Sequence, residues 1–247
     1  MTARLSVVAL LLIGMTASFA IAEDTPAEGE EYEMTSYQLV FLLDDPDFEE
    51  DPMIEEAHAA HRRDRFKTVS RLYLTNLVKD GIAVIAGPLQ DHGRIRYVAV
   101  LAVETTIDAE MVFDHAPAIE AGRAELEIYP WWAAKNVLQK PKEPEKTVTA
   151  TLGLLKRPSG APDFSTEELE RIQVGHLANI KKMADSGELV IAGPVERGGD
   201  LRGILIFRTD DTRRIEELVA EDPAIQAGRL ELELHPWTVP KQCFPES

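Results

Sequence analysis

A histidine on the apolar stripe of a helix can move protons where water is scarce, and His176 sits in such a place. Leu169, Ile172, Ile180 and Met183 recur at spacings of three to eight, and His176 lies four residues from both Ile172 and Ile180. Those spacings share one helical face. Imidazole changes charge near neutral pH, which suits general acid–base work. The same placement also fits a hydrogen-bonded core histidine, a commoner use of the residue. Asp222 is the second group. It precedes Pro223, which keeps it out of helical geometry and sets it at the exit of a second helix. A carboxylate there opposes the negative end of the helix dipole, so a partner or a turn is expected to hold it.

The chain contains its own control. Val84-Ile85-Ala86-Gly87-Pro88 recurs as Val190-Ile191-Ala192-Gly193-Pro194, and Pro130-Trp131 recurs as Pro236-Trp237, both at an offset of 106. From Ser70/His176 to Trp132/Thr238, 21 of 63 aligned positions are identical at that offset. A period this long is a whole small domain, not a solenoid unit. His176 aligns with Ser70 and Asp222 with Ala116, while the glycines, prolines and tryptophans around them persist. Two ionisable groups missing together from an intact frame fit one working copy and one degenerate or structural copy.

Each copy must position these groups with the same elements. In the second, Val148 to Leu155 reads as a strand, and Ser165 with Glu168 has capping-box spacing. The helix they open runs to about Ser186, where Gly187 stops it. Leu189 to Ala192 and Leu201 to Arg208 read as strands, and the Ile204 to Phe207 run predicts burial on both faces. A helix from about Thr212 to Glu221 and a strand from Leu230 to Leu234 complete a βαββαβ order. The expected class is α+β: two tandem ferredoxin-like units whose bare sheet faces cover one another as a pseudo-dimeric α+β barrel. That arrangement leaves two assemblies, a monomer with an intrachain barrel or a homodimer.

The start of the chain speaks to its compartment. Arg4, the apolar run Val7 to Ile13 and Ala20-Ile21-Ala22 read as a cleavable signal over residues 1–22. The expected location is therefore secreted or periplasmic, with no membrane attachment after cleavage. Residues 23–35 form an acidic segment with little to bury, expected to be poorly ordered. The first domain is expected over 36–135, a linker over 136–147, the second domain over 148–240 and a tail over 241–247. The linker's Gln139 to Lys146 stretch is charged and interrupted by proline, which reads as stiff and solvated. A net charge of −17 repels phosphate backbones and excludes nucleic acid as a partner. The lone Cys243 cannot form an intramolecular disulfide, so packed cores must stabilise the fold.

The second copy resembles the YCII-related family. The resemblance rests on His176-Leu177-Ala178, Gly187, Ala192-Gly193-Pro194, Asp222-Pro223, Ala227-Gly228 and Pro236-Trp237, in that order. It covers the second copy throughout and the first, from Tyr37 to Trp131, less closely. It implies a dimeric α+β barrel in which His176 and Asp222 are the active-site pair, with the first copy departing from the pattern at both positions. Members share the barrel with lactone isomerases, monooxygenases and haem enzymes, so the resemblance does not fix a reaction.

The remaining candidates carry less. His58 and His61 are one turn apart and could share a metal, but the charged neighbours Glu55, Glu56, Arg62, Arg63 and Asp64 suit a solvated face. Arg96/Arg202 and Arg123/Arg229 recur and read as surface ion pairs. Trp131 and Trp237 read as packing at the sheet ends. No nucleotide loop or metal motif occurs, so neither a cofactor nor a metal is expected. Two classes of function remain: a small-molecule enzyme of isomerase or lyase type using His176 and Asp222, or a non-catalytic ligand-binding or interaction module. A cavity beside His176 favours the first. A filled interior with His176 bonded to a backbone carbonyl favours the second.

Overall fold

A computed structural model of the protein describes residues 33–44, 56–91 and 93–245, without the side chains of 56–63. The expected signal, residues 1–22, and most of the acidic segment lie outside these residues. The first copy holds β1 (Met34–Asp44), α1 (Glu56–Asp80), β2 (Ala83–Pro88), β3 (Ile95–Leu101), α2 (Thr106–Phe113), α3 (Pro117–Glu120) and β4 (Ala124–Ala134). The second holds β5 (Thr147–Lys156), α4 (Thr166–Asp185), β6 (Leu189–Pro194), β7 (Leu201–Phe207), α5 (Thr212–Val219), α6 (Pro223–Gln226) and β8 (Glu231–Pro240). Each copy folds one antiparallel sheet, in the orders β2-β3-β1-β4 and β6-β7-β5-β8. The βαββαβ order expected from the sequence is present twice, with α3 and α6 as additions.

Strand periodicity divides each sheet between two cores. On β1, Leu39, Phe41 and Leu43 face the other sheet, while Val40 and Leu42 face the helices. On β7, Ile204 and Ile206 face the first sheet, and Leu205 and Phe207 pack under α4 and α5. Both faces are buried, as the unbroken apolar runs required. Residues of both copies form one continuous core between the sheets.

The sheets also meet edge to edge. Leu89 bridges to Trp237, and Trp131 bridges to Val195. Gln90 N–H donates to the Pro236 carbonyl and Glu196 N–H to the Pro130 carbonyl, each at 2.8 Å. The repeated motifs close these seams. The indole N–H of Trp131 donates to the Gly193 carbonyl at 3.1 Å, and that of Trp237 donates to the Gly87 carbonyl at 3.0 Å. Each tryptophan is fully buried and reaches the glycine of the other copy. The VIAGP and PW motifs are thus two halves of one crossed clasp, not packing at isolated sheet ends. His235 Nδ1 meets the Asp91 carboxylate across the Trp237 seam.

The linker departs from expectation. Val137, Leu138, Pro141 and Pro144 are buried, and Gln139 N–H donates to the Cys243 carbonyl at 2.8 Å. Cys243 and Phe244 join the core between the sheets, so linker and tail pack together. Alternating proline and apolar side chains outweigh the charges that suggested a solvated strut. Burial pushes the Cys243 thiol up to about 12, which keeps it protonated and unreactive. A thiol reagent at pH 8 should leave Cys243 unmodified in the folded chain and modify it in denaturant. Rapid labelling of the native protein would show that the tail is not seated.

Candidate active site

α4 carries the histidine, and its first turn fixes where that helix begins. The Ser165 hydroxyl accepts from Glu168 N–H, and the Glu168 carboxylate accepts from Ser165 N–H at 2.8 Å. These bonds hold the Glu168 carboxyl below the usual carboxylate range. At the far end Gly187 adopts φ +81, a left-handed turn that stops the helix. His176 sits mid-helix among the buried residues Ile172, Asn179, Ile180 and Met183.

Asp222 is placed differently from the sequence expectation. α5 ends at Val219, and Asp222 is the N-cap of α6, with its Oδ1 accepting from Ala224 N–H at 2.8 Å. Its carboxylate oxygen therefore caps the start of α6 instead of standing at the exit of α5, where the sequence set it. Pro223 supplies the first residue of α6, where a missing N–H costs nothing.

The structure brings the two groups into contact across 46 positions of sequence. His176 Nδ1 and Asp222 Oδ2 are 2.6 Å apart, and both residues are buried. Gly175 permits the approach. A Cβ on it would stand 2.6 Å from Pro223 Cγ, so a larger residue would push α6 away from α4. The first copy has Val69 at the matching position. His176 Nε2 has no hydrogen-bond partner among the described residues, and it is not sealed from solvent.

A cavity of about 570 Å³ lies beside this ring, between α4 and the helix-facing side of the second sheet. Leu169, Leu177, Ile180, Leu205 and Leu230 give it apolar walls, and Arg157, Arg202 and Arg229 add charge. Gly203 forms part of the floor. In the first copy the corresponding residue is Tyr97, whose hydroxyl lies beside Ser70, the residue aligned with His176. A phenol ring thus occupies, in one copy, the place that Gly203 leaves open in the other. Burial raises the Tyr97 pKa, as a packed phenol requires.

Asn179 shows which parts of the frame are structural. Its Nδ2 donates to the Leu218 carbonyl at 3.2 Å, and the aligned Tyr73 donates to the aligned Val112 carbonyl. Both copies tie the first helix to the second in this way, so Asn179 belongs to the scaffold. The His58/His61 pair falls among the side chains outside the described residues. Among the described residues no cluster of three metal-ligating side chains occurs.

No protein-family model matches the chain, and no curated protein matches it in sequence. Solved structures do match. A mutant chlorite dismutase from Candidatus Nitrospira defluvii, in complex with cyanide, is similar over 84% of this chain and 92% of its own, at 10% identity and a TM-score of 0.50. A heme-binding protein from Thermus thermophilus is similar over 86% of this chain and 93% of its own, at 13% identity and a TM-score of 0.47. The chain has the dimeric α+β barrel fold, closed within one polypeptide. At such low identity the likeness speaks for the barrel and not for its chemistry.

Proposed function

We propose that the chain is a small-molecule enzyme of YCII type, with His176 as general acid–base and Asp222 as the residue that positions it. The contact between His176 and Asp222, with the ring facing a cavity, carries this reading. As a carboxylate, Asp222 can only accept, so the neutral ring donates through Nδ1–H and keeps its lone pair on Nε2. Nε2 can then take a proton from a carbon acid bound in the cavity. The imidazolium so formed is stabilised by the carboxylate behind it. Returning the proton to a different carbon completes an isomerisation, and departure of a neighbouring group completes an elimination. The first copy serves as scaffold, its matching space taken by Tyr97.

Proton exchange tests this without knowledge of the natural substrate. In D2O, the full chain should catalyse deuterium incorporation into at least one member of a panel of small lactones and enones, followed by proton NMR. His176→Gln should slow that exchange by about 10²- to 10⁴-fold, the usual share of a general base. Exchange that survives the substitution would remove His176 from the chemistry.

The second reading is a non-catalytic binding module, and the unpartnered Nε2 of His176 makes haem one ligand to try under it. The donor set fits: His176 Nε2 could ligate iron with Asp222 behind the ring, and the arginines could meet the propionates. A His176-dependent shift of the Soret band on adding haemin would favour this reading over acid–base catalysis.

A further inference from the structure

We infer that the cavity beside His176 takes a small organic anion, its charged group held by Arg157, Arg202 and Arg229 and its apolar body lying on Leu169, Leu177 and Ile180. The inference concerns the same cavity as the proposed enzyme but does not depend on proton transfer by His176.

The three arginines reach one cavity from separate places in the chain: the end of β5, the start of β7 and the turn after α6. Among the described residues, none has a carboxylate within ion-pair distance. Gathering like charges is costly unless something neutralises them. Burial, and then the neighbouring charges of Arg157 and Arg202, press the Arg229 pKa downward. Asp163 is the one carboxylate among the residues lining the cavity; it pairs with none of the three arginines, and it is exposed, as are Arg157 and Arg202. In a chain of net charge −17, uncompensated positive charge around an apolar pocket is a local reversal. The guanidinium fork matches the two oxygens of a carboxylate or a phosphate.

The first copy shows what a neutralised version looks like. Asp44 N–H donates to the Arg94 carbonyl at 2.9 Å, and Arg157 N–H donates to the Asp200 carbonyl at 2.8 Å. Residues 94 and 200 are 106 apart, so Asp44 and Arg157 hold the same place in the two sheets. Asp44 pairs with Arg96 at 3.4 Å, the residue aligned with Arg202. Arg123, aligned with Arg229, lies over the Phe66 ring at 4.4 Å. One copy therefore cancels its arginine and plugs the pocket with Tyr97, and the other places a third arginine where the acid stood and opens the pocket with Gly203. Charge and space change together, which is what an anion site requires and a surface ion pair does not.

Calorimetric titration of the full chain with benzoate, phenyl phosphate and benzamide tests this. The first two share a ring and differ in charged group, so whichever binds more tightly names the carboxylate or the phosphate; benzamide lacks the charge. One anion at least should bind, weakening by about tenfold in Arg229→Gln and again in Arg202→Gln, with Arg229→Lys between. Binding should weaken as salt rises, and benzamide should bind at least about tenfold more weakly. Gly203→Tyr should abolish binding, and circular dichroism should show each variant folded. Failure of both anions, equal binding of benzamide, or unchanged affinity in Arg229→Gln would overturn the inference. His176→Gln should keep anion binding within about threefold, since its loss removes no full charge from the arginine cluster. Arginine-dependent binding without His176-dependent exchange would leave the anion site standing and the acid–base enzyme refuted.

Discussion

In Gly193→Ala the barrel seam should part, because the new Cβ would lie 2.0 Å from the Trp132 backbone oxygen and 2.9 Å from Trp131 Nε1. Neither atom can move without breaking the clasp. The expected cost is about 3 kcal/mol or more, at the upper end for an overpacked core. For a chain of this size that lowers the melting temperature by roughly 6–12 °C. Gly87→Ala should do the same at the opposite seam, where the Cβ would lie 1.8 Å from the Thr238 carbonyl oxygen. Trp131→Phe gives the comparison, since it removes the donor and leaves the Gly193 carbonyl unpaired, at about 1–3 kcal/mol. A Gly193→Ala protein melting within about 2 °C of wild type, under one kcal/mol on that scale, would show the seam to be slack.

Asp222→Asn should cost nearly all activity while leaving the fold in place. Asparagine is as good an N-cap as aspartate and keeps its oxygen for Ala224 N–H. Its amide nitrogen then faces His176 Nδ1, and two donors cannot share that contact. The ring must accept at Nδ1 and carry its proton on Nε2, the nitrogen that would act as base. Proton exchange should fall by at least about 10²-fold. Nitrogen-15 NMR of the imidazole reads the cause directly: Nδ1–H in wild type and Nε2–H in the variant. Unchanged tautomers would mean that Asp222 does not orient the ring in solution.

Much of this was legible in the sequence. The fixed offset of 106 exposed the duplication, and the Ile204 to Phe207 run exposed strands buried on both faces. His176 was found because it interrupts an apolar stripe, and Asp222 because Pro223 follows it. Sequence spacing could not show that they meet, since the contact depends on how closely α6 approaches α4. Gly175 is the residue that allows it, and it was legible in principle as the partner of Val69. Arg157 was hidden for another reason. Ahead of the first helix the two copies align at a different offset, with Gln38 and Thr151 equivalent by strand pairing, so Asp44 and Arg157 do not align at 106. The short helices α3 and α6 escaped because four residues carry no period. In the linker, charge marks exposure less faithfully than proline and leucine mark packing.

The crossed clasp also sets a timetable. Each tryptophan finds its acceptor only in the other copy, and the core between the sheets draws on both. During synthesis the first copy leaves the ribosome with Leu39, Phe41, Val98 and Val100 lining a sheet face that has nothing to cover it. Another 106 residues must follow before the matching face exists, an interval of about 5 to 20 seconds at ordinary elongation rates. For that interval the half-made protein carries an adhesive surface that the finished one has hidden. Fusing the copies in one chain shortens the wait from a diffusional search to the arrival of the next domain.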